Sequence, residues 1–293
     1  MTAEVGIALA VLLRAAAGLG PYPAPGVADD APPAIVAPVV APLLAPTVAP
    51  VLAPVLAPVL GIAVARVGYP IRRVETSESM VAFTFDACAT RTNGYGFDRA
   101  VYDVLKREQI PATLFVSGRW VESHPDVMAE LAAEPLIEFG DHSYDHPHMA
   151  QLDPRKIADE LDRTEAALLH YAKRSVAFRP PFGTWSRKLI EVAKGKLLPT
   201  VTWDVVSGDP SARTTKDGMI KRVLGQVRGG SIVVFHINGR GHKTAEALPE
   251  IVRDLRERGF RFVQVSELIG VAPAMADTIS TATATATAAA TTR

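Results

Sequence analysis

The sequence of 293 residues has a single cysteine, Cys88. An internal disulfide is therefore excluded, and so is a zinc site built from several cysteines. The chain also lacks an excess of charge of either sign, since 31 Lys and Arg residues balance 31 Asp and Glu residues. A nucleic-acid-binding protein usually carries a basic excess, so no nucleic-acid partner is expected, whereas a neutral glycan or a small molecule is compatible with this balance.

A long stretch without any charged residue, residues 31–65, lies near the start of the sequence. Its hydropathy alone would favour a membrane-spanning helix. Proline recurs at every fourth position from Pro38 to Pro58, however, and each proline removes a helical hydrogen bond and clashes with the preceding turn. Because a lipid-facing segment must satisfy its own backbone, no transmembrane helix is predicted. Residues 21–78 are interpreted as an Ala/Pro-rich, low-complexity spacer.

The start of the chain has features of an export signal, and its end has the composition of a disordered segment. Residues 1–20 contain a short apolar run, Val5–Leu13, followed by small residues as in a signal peptide, although Glu4 and Arg14 depart from that pattern. A start site placed too early in the gene is the alternative. Residues 271–293, rich in Thr and Ala, predict a disordered tail. The expected location is the periplasm, the cell wall or the extracellular medium, with the cytoplasm as the alternative.

Residues 79–270 alternate between short apolar runs and stretches with helical spacing of apolar residues. This alternation predicts parallel strands joined by crossover helices. We expect a closed or nearly closed (β/α) barrel, with an open doubly wound sheet as the alternative. The predicted strands are Val81–Asp86, Ala112–Val116, Leu136–Asp141, Thr200–Val206, Ser231–His236 and Arg261–Val265. The predicted helices are Phe97–Gln109, His124–Ala133, Pro154–Tyr171, Lys216–Val227 and Thr244–Arg258, with Asp153 as the N-cap of the third.

Polar side chains gather where the predicted strands end. In α/β folds with parallel strands these carboxyl ends lie on one rim, where active sites are found. Their convergence on that rim indicates a functional site more strongly than any single motif does. The residues concerned are Asp86, His142, His146, Arg179, Asp204, Asp209 and His236.

His142 and His146 are four residues apart. On one helical turn both imidazoles would face a single metal ion, and neutral imidazole suits zinc, cobalt or nickel. An isolated pair with this spacing is more often incidental, so the motif alone is weak. His148 follows Pro147 and is interpreted as a loop residue.

Three further residues have both a functional and a structural interpretation. Asp86 is a candidate general base beside a metal site, or a strand-end aspartate. Arg179 precedes two prolines that restrict its backbone, which favours a fixed guanidinium paired with a carboxylate over a surface arginine. His236 ends an apolar run and is interpreted either as a proton donor or as a buried, hydrogen-bonded histidine.

Taken in order, these residues resemble the five motifs of the NodB-type polysaccharide deacetylases (carbohydrate esterase family 4). The resemblance covers about residues 79–270 and leaves the two ends of the chain aside. Five motifs in the correct order make it specific. The matching segments are Thr84-Phe-Asp86, His142-Ser-Tyr-Asp-His146, Arg179-Pro-Pro-Phe-Gly183, Trp203-Asp-Val-Val-Ser-Gly-Asp209 and Val233-Val-Phe-His236.

The resemblance implies a deformed (β/α) barrel with fewer than eight units. It implies a divalent metal, most often zinc with cobalt or nickel as alternatives, held by His142 and His146. In the implied chemistry, Asp86 takes a proton from water, Arg179 orients and tunes Asp86, and His236 protonates the leaving nitrogen. The third and fourth motifs also supply the residues expected to bind the substrate, which are Pro181, Phe182 and Trp203.

The first departure from the family pattern concerns the metal. The family has a second aspartate directly after the base, and this residue binds the metal together with the two histidines. Here that position is Ala87, which cannot ligate. Water, a carboxylate from Asp141 or Asp145, or the thiol of Cys88 would have to complete the site.

The second departure concerns His236. The family's fourth motif carries an aspartate where this chain has Val206, and a tryptophan where it has Pro210. Asp204 or Asp209 is therefore expected to replace the aspartate that tunes the histidine.

The expected function is removal of N-acetyl groups from an N-acetylglucosamine-containing polymer, such as chitin oligomers or peptidoglycan. An O-acetyl esterase acting on xylan would use the same site with less demand on His236. A glycan-binding relative that has lost catalysis is the alternative from another class, and Ala87 is the residue that supports it.

Overall fold

The computed structural model describes residues 70–90, 92 and 96–270 of the chain. The predicted export signal, most of the predicted spacer and the predicted tail lie outside these residues. The folded region begins before residue 79, because Ile71 forms a bridge with Val201 and Arg73 forms one with Ser231. Within the described part of the chain, no helix combines the length and apolar character needed to cross a membrane.

The described residues contain one sheet of six parallel strands. Five of them follow the order β3-β2-β1-β5-β4, and β6 pairs with the start of β1. The longer strands are rich in aliphatic and aromatic residues, as buried parallel strands are. Their bounds are β1 Met80–Ala87, β2 Ala112–Val116, β3 Ile137–Asp141, β4 Val205–Val206, β5 Ser231–His236 and β6 Arg261–Phe262.

Isolated bridges connect the two outer strands of this order. Asp141 at the end of β3 bridges to Phe178, and Phe178 bridges to Thr200. The segment that begins at Thr200 continues into Val205, which pairs with β5. The strands therefore close into a ring through an irregular segment, and the predicted deformed (β/α) barrel with fewer than eight units is confirmed.

Crossover helices connect the strands, and several begin at capping residues visible in the sequence. The side chain of Asp98 accepts a hydrogen bond from the Val101 amide, and Asp153 accepts one from the Lys156 amide. These bonds satisfy N–H groups that have no partner within the helix. The helices are α1 Arg99–Arg107, α2 Gly118–Ser123, α3 Pro125–Ala133, α4 Pro154–Leu169, α5 Arg187–Gly195, α6 Lys216–Gln226, α7 Thr244–Glu257 and α8 Val265–Ile269.

Some sequence-predicted elements differ from the structure. The predicted strand Thr200–Val206 is broken, because only its two ends pair with neighbouring chain segments. The predicted strand Arg261–Val265 stops at Phe262, since a helix begins at Val265. Helices α2, α5 and α8 were not predicted.

The two faces of β1 pack against different neighbours, because side chains alternate along a strand. Val81, Phe83 and Phe85 belong to the large apolar cluster that includes residues of the surrounding helices. Ala82, on the opposite face, belongs to a separate cluster together with Phe115. Burying an aromatic side chain such as Phe83 contributes about 1.5–3 kcal/mol, so this packing holds the position of the strand end that follows.

Candidate functional site

Two predicted site residues, Asp86 and His236, lie side by side at the ends of adjacent strands. They are register partners in the parallel pairing of β1 with β5. Neighbouring strands lie about 4.8 Å apart, and paired positions direct their side chains to the same face. The fold therefore brings a carboxylate and an imidazole from distant parts of the sequence together at the carboxyl-terminal rim.

The Asp86 carboxylate is paired with the buried guanidinium of Arg179. Nη1 of Arg179 donates to Oδ1 of Asp86 at 2.8 Å, and Nη2 donates to the carbonyl oxygen of Thr202 at 3.2 Å. Both side chains are almost completely buried. The Arg179 guanidinium also lies over the Phe115 ring, 3.9 Å from its centroid. These contacts fix Arg179 in one orientation, as the two prolines after it predict.

Burial alone would raise the pKa of the Asp86 carboxyl, because it penalises the charged form. The positive charge of Arg179 opposes this, with smaller contributions from His142 and His236 and from the Arg179 hydrogen bond. The balance lowers the pKa of Asp86 below its usual value. The carboxylate is therefore held ionised and able to accept a proton.

His142 and His146 lie in a loop after β3, and the expectation that they share a helical turn is wrong. Ser143 and His146 both adopt left-handed backbone angles, with φ of 65° and 57°. Even so, the two imidazole rings lie close together, with centroids 4.9 Å apart. Nε2 of His142 lies 3.7 Å from Oδ2 of Asp86.

The chemistry of both imidazoles suits a metal ligand. Nδ1 of His142 is hydrogen-bonded to the carbonyl oxygen of Arg179 at 2.8 Å, which leaves Nε2 as the nitrogen facing Asp86. Burial lowers the pKa of His142 and lowers that of His146 to about 3. Both rings are therefore neutral at physiological pH, the form in which histidine binds metals.

The side chains considered for the third ligand are mostly engaged elsewhere, and Oδ2 of Asp141 is the buried oxygen among them without a hydrogen-bond partner. Asp145 is paired with Arg119 at 2.5 Å, and Oδ1 of Asp141 accepts the Ser143 amide at 2.7 Å. Burial raises the pKa of Cys88 to about 11, so its sulfur is a protonated thiol. Ala87 is fully buried in the apolar cluster.

The donor set therefore fits a divalent metal only in part. His142 and His146 supply two of the three protein ligands that a catalytic zinc normally has. Across residues 70–90, 92 and 96–270, no group of three His, Cys, Asp or Glu side chains is placed to hold a metal ion.

His236 is paired with Asp209 rather than Asp204. Nδ1 of His236 donates to Oδ1 of Asp209 at 2.9 Å, and its backbone amide donates to Oδ2 at 2.7 Å. The hydroxyls of Ser207 and Thr244 donate to the same carboxylate at 2.9 and 3.1 Å. This fully buried aspartate therefore fixes the orientation of the His236 ring.

Asp204 and Val206 contribute nothing to that network. The Asp204 carboxylate accepts hydrogen bonds from the Ser231 hydroxyl and the Ile232 amide, both at 2.9 Å, and so secures the start of β5. Val206 and Pro210 are exposed. The chain thus places an aspartate beside His236 from a position three residues after the one that the family motif uses.

Of the three residues expected to bind substrate, Phe182 is the exposed one and lies beside the histidines. Phe182 is 51% exposed, and its ring lies 4.6 Å from that of His146 and 4.3 Å from that of His148, centroid to centroid. His148 was interpreted as a loop residue, and the structure stacks it on Phe182. Pro181 is buried, and Trp203 packs so closely on Gly183 that a Cβ at position 183 would lie 2.8 Å from the Trp203 ring.

Several residues that support the site could not be found from the sequence. Glu160 binds the loop that carries the histidines, Thr244 and Ser207 bind Asp209, and Asn238 donates to the Cys88 carbonyl oxygen at 2.8 Å. Their partners are distant in sequence or reached across a turn. No local pattern marks such contacts.

With this geometry established, comparison with known proteins identifies the family. A family model described as polysaccharide deacetylase matches residues 73–198. The peptidoglycan-N-acetylmuramic acid deacetylase PdaA of Bacillus subtilis is 30% identical over 204 residues, which cover 66% of this chain and 73% of PdaA. The peptidoglycan-N-acetylglucosamine deacetylase of Bacillus cereus is 28% identical over 205 residues, covering 69% of this chain and 93% of that protein. The chain belongs to the polysaccharide deacetylase family of the NodB type, and the prediction of this family of hydrolases is confirmed.

Solved structures add a second kind of relative. A wild-type pseudoenzyme of carbohydrate esterase family 4 from Bacillus anthracis matches with a TM-score of 0.61 and 27% identity, covering 69% of each chain. A mutant of that pseudoenzyme, described as having restored enzymatic activity, matches with a TM-score of 0.62 and 28% identity, covering 69% of this chain and 71% of that one. The chain also spans only 60% of the length of an uncharacterized curated relative from Bacillus subtilis.

Proposed function

We propose that this chain hydrolyses N-acetyl groups of an N-acetylglucosamine-containing polymer, such as peptidoglycan or chitin oligomers. The observation that carries the proposal is that Asp86 and His236 lie opposite each other in the register of β1 and β5. Buried Arg179 holds the Asp86 side chain, and buried Asp209 holds that of His236. Hydrolysis of an amide needs one group that accepts a proton from water and one that donates a proton to nitrogen. These two residues supply them.

In the proposed reaction, water attacks the acetyl carbon while Asp86 accepts the water proton. Arg179 keeps Asp86 ionised and aimed, because its guanidinium stays within 2.8 Å of the carboxylate. His236 then gives a proton to the amide nitrogen as the carbon–nitrogen bond breaks, which releases acetate and a free amine. Asp209 holds the His236 ring in place and stabilises its positive charge when it is protonated.

A divalent metal, zinc by its preference for imidazole, would be held by His142 and His146. When bound, such an ion supplies Lewis-acid polarisation of the acetyl carbonyl and lowers the pKa of water. With Ala87 in the family's ligand position, binding is expected to be weaker than with three protein ligands.

Phe182 and Trp203 are the proposed contacts for the sugar. Phe182 offers an exposed ring next to His146, where an apolar sugar face can stack. The proposed substrate agrees with the peptidoglycan deacetylases among the relatives. We also propose that the protein acts in the periplasm, the cell wall or the medium, because such polymers lie there. The N-terminal sequence of the mature protein tests that location.

The second candidate is a glycan-binding protein with impaired catalysis. It is favoured by Ala87, by the absence of a three-ligand cluster among the described residues and by the similarity to a pseudoenzyme. It leaves the Asp86–Arg179 and His236–Asp209 pairs without a catalytic purpose, and therefore ranks second.

The test measures acetate release from N-acetylglucosamine oligomers, peptidoglycan and acetylated xylan, with metal-stripped protein and after addition of zinc or cobalt. Asp86→Asn and His236→Gln serve as matched controls that keep the size of each side chain. Release from an amino-sugar polymer that each control lowers by about 100-fold or more supports the proposal. Release from xylan alone identifies an O-acetyl esterase, and glycan binding without any release favours the binding protein.

A further inference from the structure

We propose that Glu160, on helix α4, is a positioning residue that holds His142 and His146 in the orientation the site uses. The catalytic part of the inference rests on the proposed function, whereas its structural part does not. One carboxylate oxygen of Glu160 accepts two backbone amides of the loop. The helix also contacts the loop through Arg163, whose guanidinium lies 3.5 Å from the centroid of the Tyr144 ring.

The backbone amides of the histidine loop are all accounted for, and Glu160 accepts two of them. Oε2 of Glu160 accepts the amides of Tyr144 and Asp145, both at 2.8 Å. The other three amides donate to acceptors within the loop or on the neighbouring strands. His142 N–H donates to the Val116 carbonyl, Ser143 N–H to Asp141 Oδ1 and His146 N–H to Ser143 Oγ.

The opposite edge of the loop is bound by helix α2. The amides of Gly118 and Arg119 donate to the carbonyl oxygens of Ser143 and Tyr144, both at 3.1 Å. Hydrogen bonds thus hold both edges of the loop: its carbonyl oxygens accept from amides of α2, and its central amides donate to Glu160. Without Glu160, two N–H groups near the site lose their acceptor, and the loop is held on one edge only.

The loop needs such support because its backbone is strained. Ser143 and His146 have φ of 65° and 57°, in the left-handed region that residues with a Cβ rarely adopt. Backbone in this region persists only where surrounding contacts fix it. The strained residues flank the two amides that Glu160 binds, and His146 is itself a proposed ligand.

Glu160 is well placed to be a rigid support. Its side chain is 8% exposed and leaves α4 on the face that buries Ile157 and Leu161. The contacts of Asp145 with Arg119 and of Tyr144 with Glu122 fix side chains of the loop rather than its backbone. Glu160 therefore controls the path of the chain between the two histidines.

The experiment compares Glu160→Ala and Glu160→Gln, with Glu165→Ala as the matched control. Glutamine keeps an oxygen that can accept both amides, and alanine removes it. Glu165 lies on the same helix and also accepts a backbone amide, that of Ser175 at 3.1 Å, but away from the histidines. Two quantities are measured: hydrogen exchange of peptides covering residues 141–148 in the full-length protein, and kcat and KM for acetate release.

In Glu160→Ala we expect exchange in residues 141–148 to accelerate by about tenfold or more, because the opening of this loop costs less. We expect kcat to fall by about 10- to 100-fold with little change in KM, since a shift of about 1 Å in a site has effects of this size. Glu160→Gln should restore both quantities, and Glu165→Ala should change neither.

Unchanged exchange in Glu160→Ala overturns the inference, as does an equal response in Glu165→Ala or a failure of glutamine to rescue. If the alanine variant does not fold, Glu160→Asp, which withdraws the same acceptor by one methylene, is judged by the same outcomes. If the wild-type protein releases no acetate, the proposed function fails, and the exchange data still decide whether Glu160 holds the loop.

Discussion

The Asp209 carboxylate accepts hydrogen bonds from both Nδ1 and the backbone amide of His236, at 2.9 and 2.7 Å. The family motif places its aspartate where this chain has Val206, which is exposed. The contact is nevertheless made, because the turn after β4 brings Asp209 to the end of β5. Asp209 therefore provides the carboxylate contact to His236 that Val206, at the motif position, cannot make.

Asp209→Asn should lower kcat for acetate release by about 100-fold or more, since an amide cannot accept all four hydrogen bonds or stabilise a protonated imidazole. Steady-state kinetics of acetate release from the proposed amino-sugar polymer measures this. Asp204→Asn is the control, because its carboxylate binds Ser231 and Ile232 instead. Equal losses of kcat in the two variants would show that Asp209 has no special role.

Arg179→Met should lower the free energy of unfolding by about 3–5 kcal/mol, because it leaves the buried Asp86 carboxylate without its partner. Urea denaturation followed by circular dichroism measures the change. The double variant Asp86→Asn with Arg179→Met should recover part of the loss, since no charge is then buried unpaired. A loss below about 1 kcal/mol, typical of an exposed pair, would contradict this account.

Ala87→Asp should make the metal-free protein less stable, because position 87 is fully buried among apolar residues. Zinc should then stabilise this variant more than the wild type, since the new carboxylate can complete the set of His142 and His146. Thermal unfolding with and without zinc measures both effects, and zinc at 100 times its Kd would add about 2.7 kcal/mol. Ala87→Asn has the same size without the charge, and an equal response to zinc in both variants would rule out ligation.

Glu138 provides a prediction on pH that is independent of the site. Burial raises the pKa of this carboxyl, although the Thr113 hydroxyl and the Ser266 amide donate to it. A group whose pKa is higher in the folded state stabilises the fold at low pH, and this contribution is lost as the pH rises through the folded pKa. Glu138→Gln should therefore raise the melting temperature at pH 7 by a few degrees, and the gain should disappear near pH 4. Glu191→Gln, at an exposed position, is the control, and a gain that persists unchanged at pH 4 would contradict the assignment.

The sequence was sufficient for the strands whose apolar runs are continuous. Ser231–His236 and Ala112–Val116 have the bounds that were predicted, because strands buried on both faces form nearly continuous apolar runs. The helix Arg187–Gly195 was missed, although Ser186 caps it and its buried residues Leu189, Ile190 and Ala193 have helical spacing. The helical turn expected for His142 and His146 was wrong because bonds from α2 and α4 impose left-handed angles that spacing cannot reveal.

The sequence by itself determined the family, the order of the motifs and the residues that carry charge at the strand ends, because these are properties of residue type and spacing. Only the tertiary structure decided which carboxylate meets which partner. Asp209 rather than Asp204 reaches His236, and Glu160 reaches the histidine loop from another helix. Such contacts depend on how strands and helices pack in three dimensions. Packing brings residues together that are far apart along the chain, so their spacing in the sequence does not predict the contact.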